Sequence, residues 1–119
     1  MLKGLLEAAL ISGCLAFSAS GPATAQENTA ADAVRAFKSK NAGALLYIEG
    51  VADGLRTSNA LAQVLQRDRL FCVPPGQTLS DVKMIDILSD YLNWNPKTRA
   101  DPFVSTLVFA IFKEYPCRR

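Results

Sequence analysis

The residues able to do chemistry in this chain are few, and the missing ones decide more than those present. Among its 119 residues there is no histidine. That removes Ser-His and Cys-His nucleophilic pairs, imidazole acid–base catalysis and any His-based zinc site. The three cysteines, Cys14, Cys72 and Cys117, are too few for a four-cysteine metal cluster. Carboxylates remain. Glu49 and Asp53 are four apart and share a face of any helix that carries them, which is where a carboxylate acid–base pair would sit. A solvated polar face accounts for the same pair. Thirteen Lys and Arg against eleven Asp and Glu leave a net charge of +2, scattered along the chain. That balance is too weak and too even to point to nucleic acid or an anionic membrane surface. No metal-ligand set and no cofactor motif stands out, so the expectation is a binding protein, not an enzyme, with no catalytic residue, metal or cofactor.

What the cysteines can do depends on where the chain is sent. Met1 to Leu6 carries Lys3, and short apolar runs follow at Ala8–Ile11 and Cys14–Phe17. Small residues lead to Ala23-Thr24-Ala25, an A-x-A cleavage site before Gln26. The apolar core, broken by Ser12 and Gly13, is far shorter than the about 20 residues of a membrane span, so no transmembrane helix is expected. Residues 1–25 therefore read as a cleaved secretory signal peptide, and the periplasm as the destination. Ile11-Ser12-Gly13-Cys14 also looks like a lipobox, which would make Cys14 a lipidated N-terminus. Glu7 and the apolar run beyond Cys14 count against that alternative. Cleavage after Ala25 removes Cys14 and leaves Cys72 and Cys117, an even pair in an oxidising compartment. A bridge between them would stabilise the fold by roughly 4 kcal/mol through the unfolded chain. Two buried free thiols are the other reading of the pair.

The elements that must carry these residues are helices, giving an all-α fold, a small bundle of about four. No stretch alternates with period two for long enough to propose a strand. Residues 26–41 read as a polar leader and a short first helix, opened by Thr29-Ala-Ala-Asp32 and running to about Ser39. Asn41 and Gly43 mark a boundary, and residues 42–117 form the main domain. Its first helix, about Ala44 to Gln66, places Ala44, Tyr47, Ile48, Val51, Leu55, Ala62 and Leu65 on one side. Gly50 and Gly54 lie along the edge of that face. Each glycine costs about 1 kcal/mol inside a helix, so close approach of another backbone is expected there.

Pro74-Pro75-Gly76 breaks the chain, and Thr78-Leu-Ser-Asp81 opens the next helix. Its apolar arc covers more than half the circumference, from Val82, Ile85, Leu88 and Leu92 round to Met84, Ile87 and Tyr91. Such a helix is either central or meets a second protein on one flank. Asn93-Trp94-Asn95-Pro96 ends it. Asp101-Pro102 opens the last helix as N-cap and first residue. Phe103, Val104, Leu107, Val108, Ile111, Phe112 and Tyr115 are expected as its core face, with Phe109 apart.

Taken in order, the motifs resemble the Rap/Tai family of type VI secretion immunity proteins. The resemblance covers roughly Ala44 to Cys117 and rests on four pieces. They are Tyr47-Ile-Glu-Gly50-Val-Ala-Asp53-Gly54, then Phe71-Cys72-Val-Pro74-x-Gly76-x-Thr78, then Tyr91-Leu92 with Pro96, then Leu107-Val108 before Tyr115-Pro116-Cys117. It implies a helical domain held by a Cys72–Cys117 disulfide and without catalytic activity. Its partner would be a secreted effector toxin, a cell-wall amidase in the best-known cases, and a homodimer is a further expectation. Relatives often carry two more cysteines, one of them where this chain has Ala44. Their absence implies a first helix less firmly held.

Candidate interface residues are the surplus flank of the third helix, Met84, Ile87 and Tyr91, together with Trp94 and Phe109. Tyr47, Gly50, Gly54, Pro74, Gly76 and Pro116 read as packing or turn residues, and Asp53 as one that caps or orients the glycine-lined contact. Arg67, Arg69, Lys97, Arg99, Arg118 and Arg119 read as solvated charge. A different class of function, an acid-activated periplasmic chaperone of the HdeA type, would also be a small helical domain with one disulfide. Lacking histidine, it would have to switch by protonating carboxylates.

Overall fold

Side-chain oxygens start three of the four helices in the computed structural model, which describes residues 28–118. Thr29, Asn41 and Ser80 accept from the backbone N–H three residues on, at Asp32, Ala44 and Lys83, over 3.2, 3.0 and 3.1 Å. These bonds satisfy donors that a helix start leaves orphaned. They set the beginnings of α1 (Ala30–Lys38), α2 (Ala42–Val64) and α3 (Asp81–Trp94). The third cap is Ser80, not Thr78. A 3₁₀ turn (Pro96–Ala100) then leads into α4 (Phe103–Glu114). Among the described residues the only bridge between extended segments is the isolated pair Thr29 and Pro102. The fold is the expected all-α one. The signal-peptide features and Cys14 lie outside the described residues.

Two helices end on a residue that pattern reading passes over. Lys40 and Gln66 have φ of 57° and 54°, the left-handed region usually given to glycine. Around each, two reversed backbone bonds close a Schellman motif. Lys40 N–H donates to Phe37 O and Asn41 N–H to Ala36 O; Gln66 N–H donates to Gln63 O and Arg67 N–H to Ala62 O. The boundary after α1 therefore belongs to Lys40, while Gly43 is already inside α2.

The core lies where α1, α3 and α4 meet. α3 supplies Met84, Ile85, Ile87, Leu88 and Leu92, all buried. α1 covers it with Ala30, Ala33 and Val34, and α4 with Phe103, Leu107, Ala110 and Ile111. α3 touches α1, α2 and α4, which accounts for its wide apolar arc. The first helix is integral to the bundle, contrary to the weaker attachment expected of it. Ala30 N–H donates to Asp101 O and Phe103 N–H to Asn28 O, both at 2.9 Å, and Lys38 Nζ donates to Ser89 Oγ. These bonds do in part what a second disulfide would.

α4 starts at Phe103 with Pro102 in the cap position and no side-chain cap. Asp101 instead closes the 3₁₀ turn. The buried side of α4 is also rotated from the expected one. Thr106 and Ala110 are inside, while Val104 and Phe112 are exposed. Small residues at 106 and 110 let α4 lie close to its neighbours, and the Thr106 hydroxyl donates to Pro102 O at 2.7 Å. In α2 only Ile48 and Ala52 are fully buried, with Val51 and Leu55 packed against the core. Tyr47 is half exposed and rests on Phe103, ring centroids 5.9 Å apart.

Candidate functional site

The expected glycine contact is absent. A Cβ built at Gly50 or Gly54 meets nothing within 4 Å, because both lie on the exposed side of α2. No described backbone approaches there. Asp53, on the same side, neither caps nor orients such a contact. It accepts from Arg56, whose guanidinium also donates to Asp81 Oδ1 and to Leu79 O, each at 3.0 Å. The bond to Asp53 raises the Arg56 pKa above its ordinary value, and Asp81 adds to this while partial burial opposes it. The permanently charged Arg56 thus ties the middle of α2 to the start of α3. Glu49 and Asp53 both face solvent.

One turn further on, Asn59 holds the segment between α2 and α3. Its Oδ1 accepts from Leu70 N–H and Phe71 N–H, and its Nδ2 donates to Phe71 O at 2.9 Å. Phe71 is buried, and this brings Cys72 to the end of α4. Cys72 N–H donates to Tyr115 O at 2.9 Å, and Cys72 is bonded to Cys117 with Cα atoms 4.9 Å apart. The bridge expected from the cysteine count is present. Gly76 has φ of 82°, and Gln77 N–H donates to Pro74 O, so Pro75-Gly76 form a turn that requires glycine. Pro74 and Pro116 line one cavity beside the disulfide.

The interface candidates divide. Met84 is 0% exposed and Ile87 is buried, so both belong to this chain's own core. Their flank of α3 is covered from within the chain, and no partner is needed to explain it. Tyr91 is half-buried against the core. Trp94 is 85% exposed and Phe109 62%. Trp94, Tyr91 and Ile87 border a cavity of about 360 Å³ between α3 and α4, whose rim carries Lys83, Asp90, Lys113 and Glu114. The turn below the indole is fixed by short-range bonds. Asn95 Nδ2 donates to Tyr91 O, Thr98 Oγ1 to Asn95 O, and Arg99 to Asn93 Oδ1. A large aromatic at the end of α3, beside a pinned turn, suits recognition, since little backbone freedom is lost on binding.

Two features of the surface were not singled out from sequence. Phe112, expected in the core, is half exposed at the far end of α4. Beside it Arg67, Arg69 and Arg118 surround the disulfide. The three arginines come from the two chain segments that the disulfide joins, a juxtaposition that becomes visible only after Cys72 and Cys117 are paired. Among the described residues no group of three or more Cys, Asp and Glu is gathered as a metal site would require. No described helix is long and apolar enough to cross a membrane.

A small helical domain stapled by one disulfide, presenting aromatic side chains on rigid supports, has the features of a protein that binds another. Comparison with known families agrees and is more specific. The model of the Rap1a immunity proteins matches residues 8–117, and the chain belongs to that family. The match reaches well upstream of Ala44, where the sequence resemblance began, and so takes in α1. No curated protein and no solved structure matches the chain significantly.

Proposed function

We propose that this protein is a periplasmic immunity protein, exported behind a signal peptide cleaved after Ala25, that inhibits a type VI secreted toxin by binding it. The proposed toxin class is a peptidoglycan amidase, and inhibition consists of covering the toxin's surface without turnover. The observation that carries the proposal is the match to the immunity family over residues 8–117. The exposed, rigidly mounted Trp94 is consistent with a binding role and is our choice of anchor, with Tyr91 and Phe109 beside it as candidates.

The test is to identify whether the adjacent reading frame encodes a secreted cell-wall hydrolase, and to produce that hydrolase in the periplasm with and without this protein. Protection from lysis is the expected outcome, and equal lysis in both cases would sink the proposal. Intact mass of the periplasmic protein should begin at Gln26. Trp94→Ala should weaken protection at least tenfold while leaving the melting temperature within a degree or two, because the side chain buries little within its own fold. Light scattering on the same material reports whether the working species is a homodimer.

A further inference from the structure

We infer that the arginine-ringed cavity beside the disulfide is a docking surface for an acidic protein surface, carboxylates meeting the arginines and an apolar group meeting Phe112. The inference rests on the immunity reading, and names the surface and chemistry by which the toxin would be held there. The cavity, about 420 Å³, lies between Arg67, Arg69, Arg118 and Phe112, with the Cys72–Cys117 bridge among its lining. Oxidised Cys117 Sγ carries no hydrogen, and its approach to Arg69 O at 3.7 Å places that arginine's backbone against the bridge.

Four observations lead to an acidic occupant. First, the described ion pairs are Arg35 with Asp32 and Arg56 with Asp53 and Asp81. None of the three arginines takes part in one, although Asp68 lies in the same lining. The three arginines outnumber the two acids near them, Asp68 in this lining and Glu114 in the adjoining cavity that shares Arg69 and Arg118, and a complementary surface would relieve the remaining repulsion. Second, all three are arginine and none is lysine. A planar guanidinium meets a carboxylate through two parallel bonds and sheds water more easily than an ammonium, so it suits an interface. Third, the charges share the lining with an exposed aromatic, so apolar and charged groups are offered together as in a protein interface. Fourth, the chain beside them is held. Arg67 N–H closes the Schellman end of α2, Arg69 directly precedes Leu70, whose N–H is bonded to Asn59, and Arg118 directly follows the bridged Cys117. Anionic lipid is the weaker match, since polybasic membrane sites carry about four to eight basic residues. This cavity has three, with an acid among them.

The experiment measures binding of the mature protein to the hydrolase of the protection assay at low and at physiological salt. Variants are Arg69→Glu with Arg118→Glu, and separately Phe112→Asp. Arg35→Glu on α1 serves as a charge reversal elsewhere, matching each of the two single changes in the pair. Melting temperatures are recorded for all of them. The paired reversal should weaken binding at least tenfold, Phe112→Asp similarly, and Arg35→Glu less than twofold. Wild-type affinity should fall with salt, and the paired variant should lose that dependence. Wild-type binding with both cavity variants within twofold would overturn this surface and leave the immunity reading standing. Failure of the wild-type protein to bind or protect would overturn the immunity reading, and the inference with it. A third arm uses vesicles of phosphatidylglycerol and phosphatidylcholine. Vesicle binding that the paired reversal abolishes, with hydrolase binding intact, would assign the arginines to a membrane surface and overturn the acidic protein partner.

Discussion

Gly50 and Gly54 cost helix stability and gain no packing in return, since a Cβ at either position would stand in open space. Gln66 presents the reverse case, a side chain where the backbone has φ of 54°. An L-residue in that region costs roughly 1–2 kcal/mol, a penalty that glycine escapes. Moving glycine from the first kind of site to the second should therefore stabilise the domain. Gly50→Ala and Gly54→Ala should each add up to about 1 kcal/mol, and Gln66→Gly about the same. Urea denaturation of the three variants checks this. A loss of stability on both Gly→Ala changes would restore the close-approach idea that the sequence invites and the geometry contradicts. Nothing among the described residues explains the pair Gly50 and Gly54.

At the scale of elements, the segment between α2 and α3 depends on one side chain. Asn59 makes three bonds to the backbone of Leu70 and Phe71, and Phe71 is buried. Truncation would leave two N–H groups and a carbonyl without their partner, at about 1–3 kcal/mol for a buried group. Asn59→Ala should lower stability by about 2 kcal/mol, and hydrogen exchange at Phe71 should quicken more than at Leu88 in α3. Equal protection in the variant and the parent would show that the loop is held by the disulfide alone. Asn59 illustrates what the sequence could not disclose. In the chain it is one of three polar residues, Thr57-Ser58-Asn59, that resemble a break in α2, and its partners lie 11 and 12 positions away. The cap at Thr29, the boundary at Asn41 and the helical periods were legible because they are local. The buried side of α4 was legible only in part: Phe103, Leu107 and Ile111 are inside as expected, but Val104 and Phe112 are as apolar as they are and lie exposed. Thr106 and Ala110 were the available signal, small side chains where helices come close. Trp94 was legible as a candidate from its type and its place at a helix end. The arginine cavity was not, since it joins residues 67–69 to residue 118.

For the whole molecule the Cys72–Cys117 bridge closes a long loop, with a sequence separation of 45. That loop contains α3, the 3₁₀ turn and α4, two of the three helices that form the core. α1 lies outside it and is attached by the bonds of Ala30 and Phe103 and by burial of Ala30, Ala33 and Val34. Opening the bridge should therefore loosen the end of α4 first and leave α1 seated. The chain-entropy model gives about 4 kcal/mol for a loop of this length, a large share of the 5–15 kcal/mol typical of a domain. Cys72→Ala with Cys117→Ala should lower the melting temperature by some 15 °C or more, taking about 4–8 °C per kcal/mol for a domain of this size. Below that transition, hydrogen exchange should be fastest at Tyr115 and its neighbours and near the parent value at Val34. The bridge also holds together the segments that carry Arg69 and Arg118, so the double variant should bind the hydrolase more weakly even where it is fully folded. A variant as stable as the parent would mean that the Cys72–Tyr115 backbone bond and the Asn59 network hold the two ends together without the bridge.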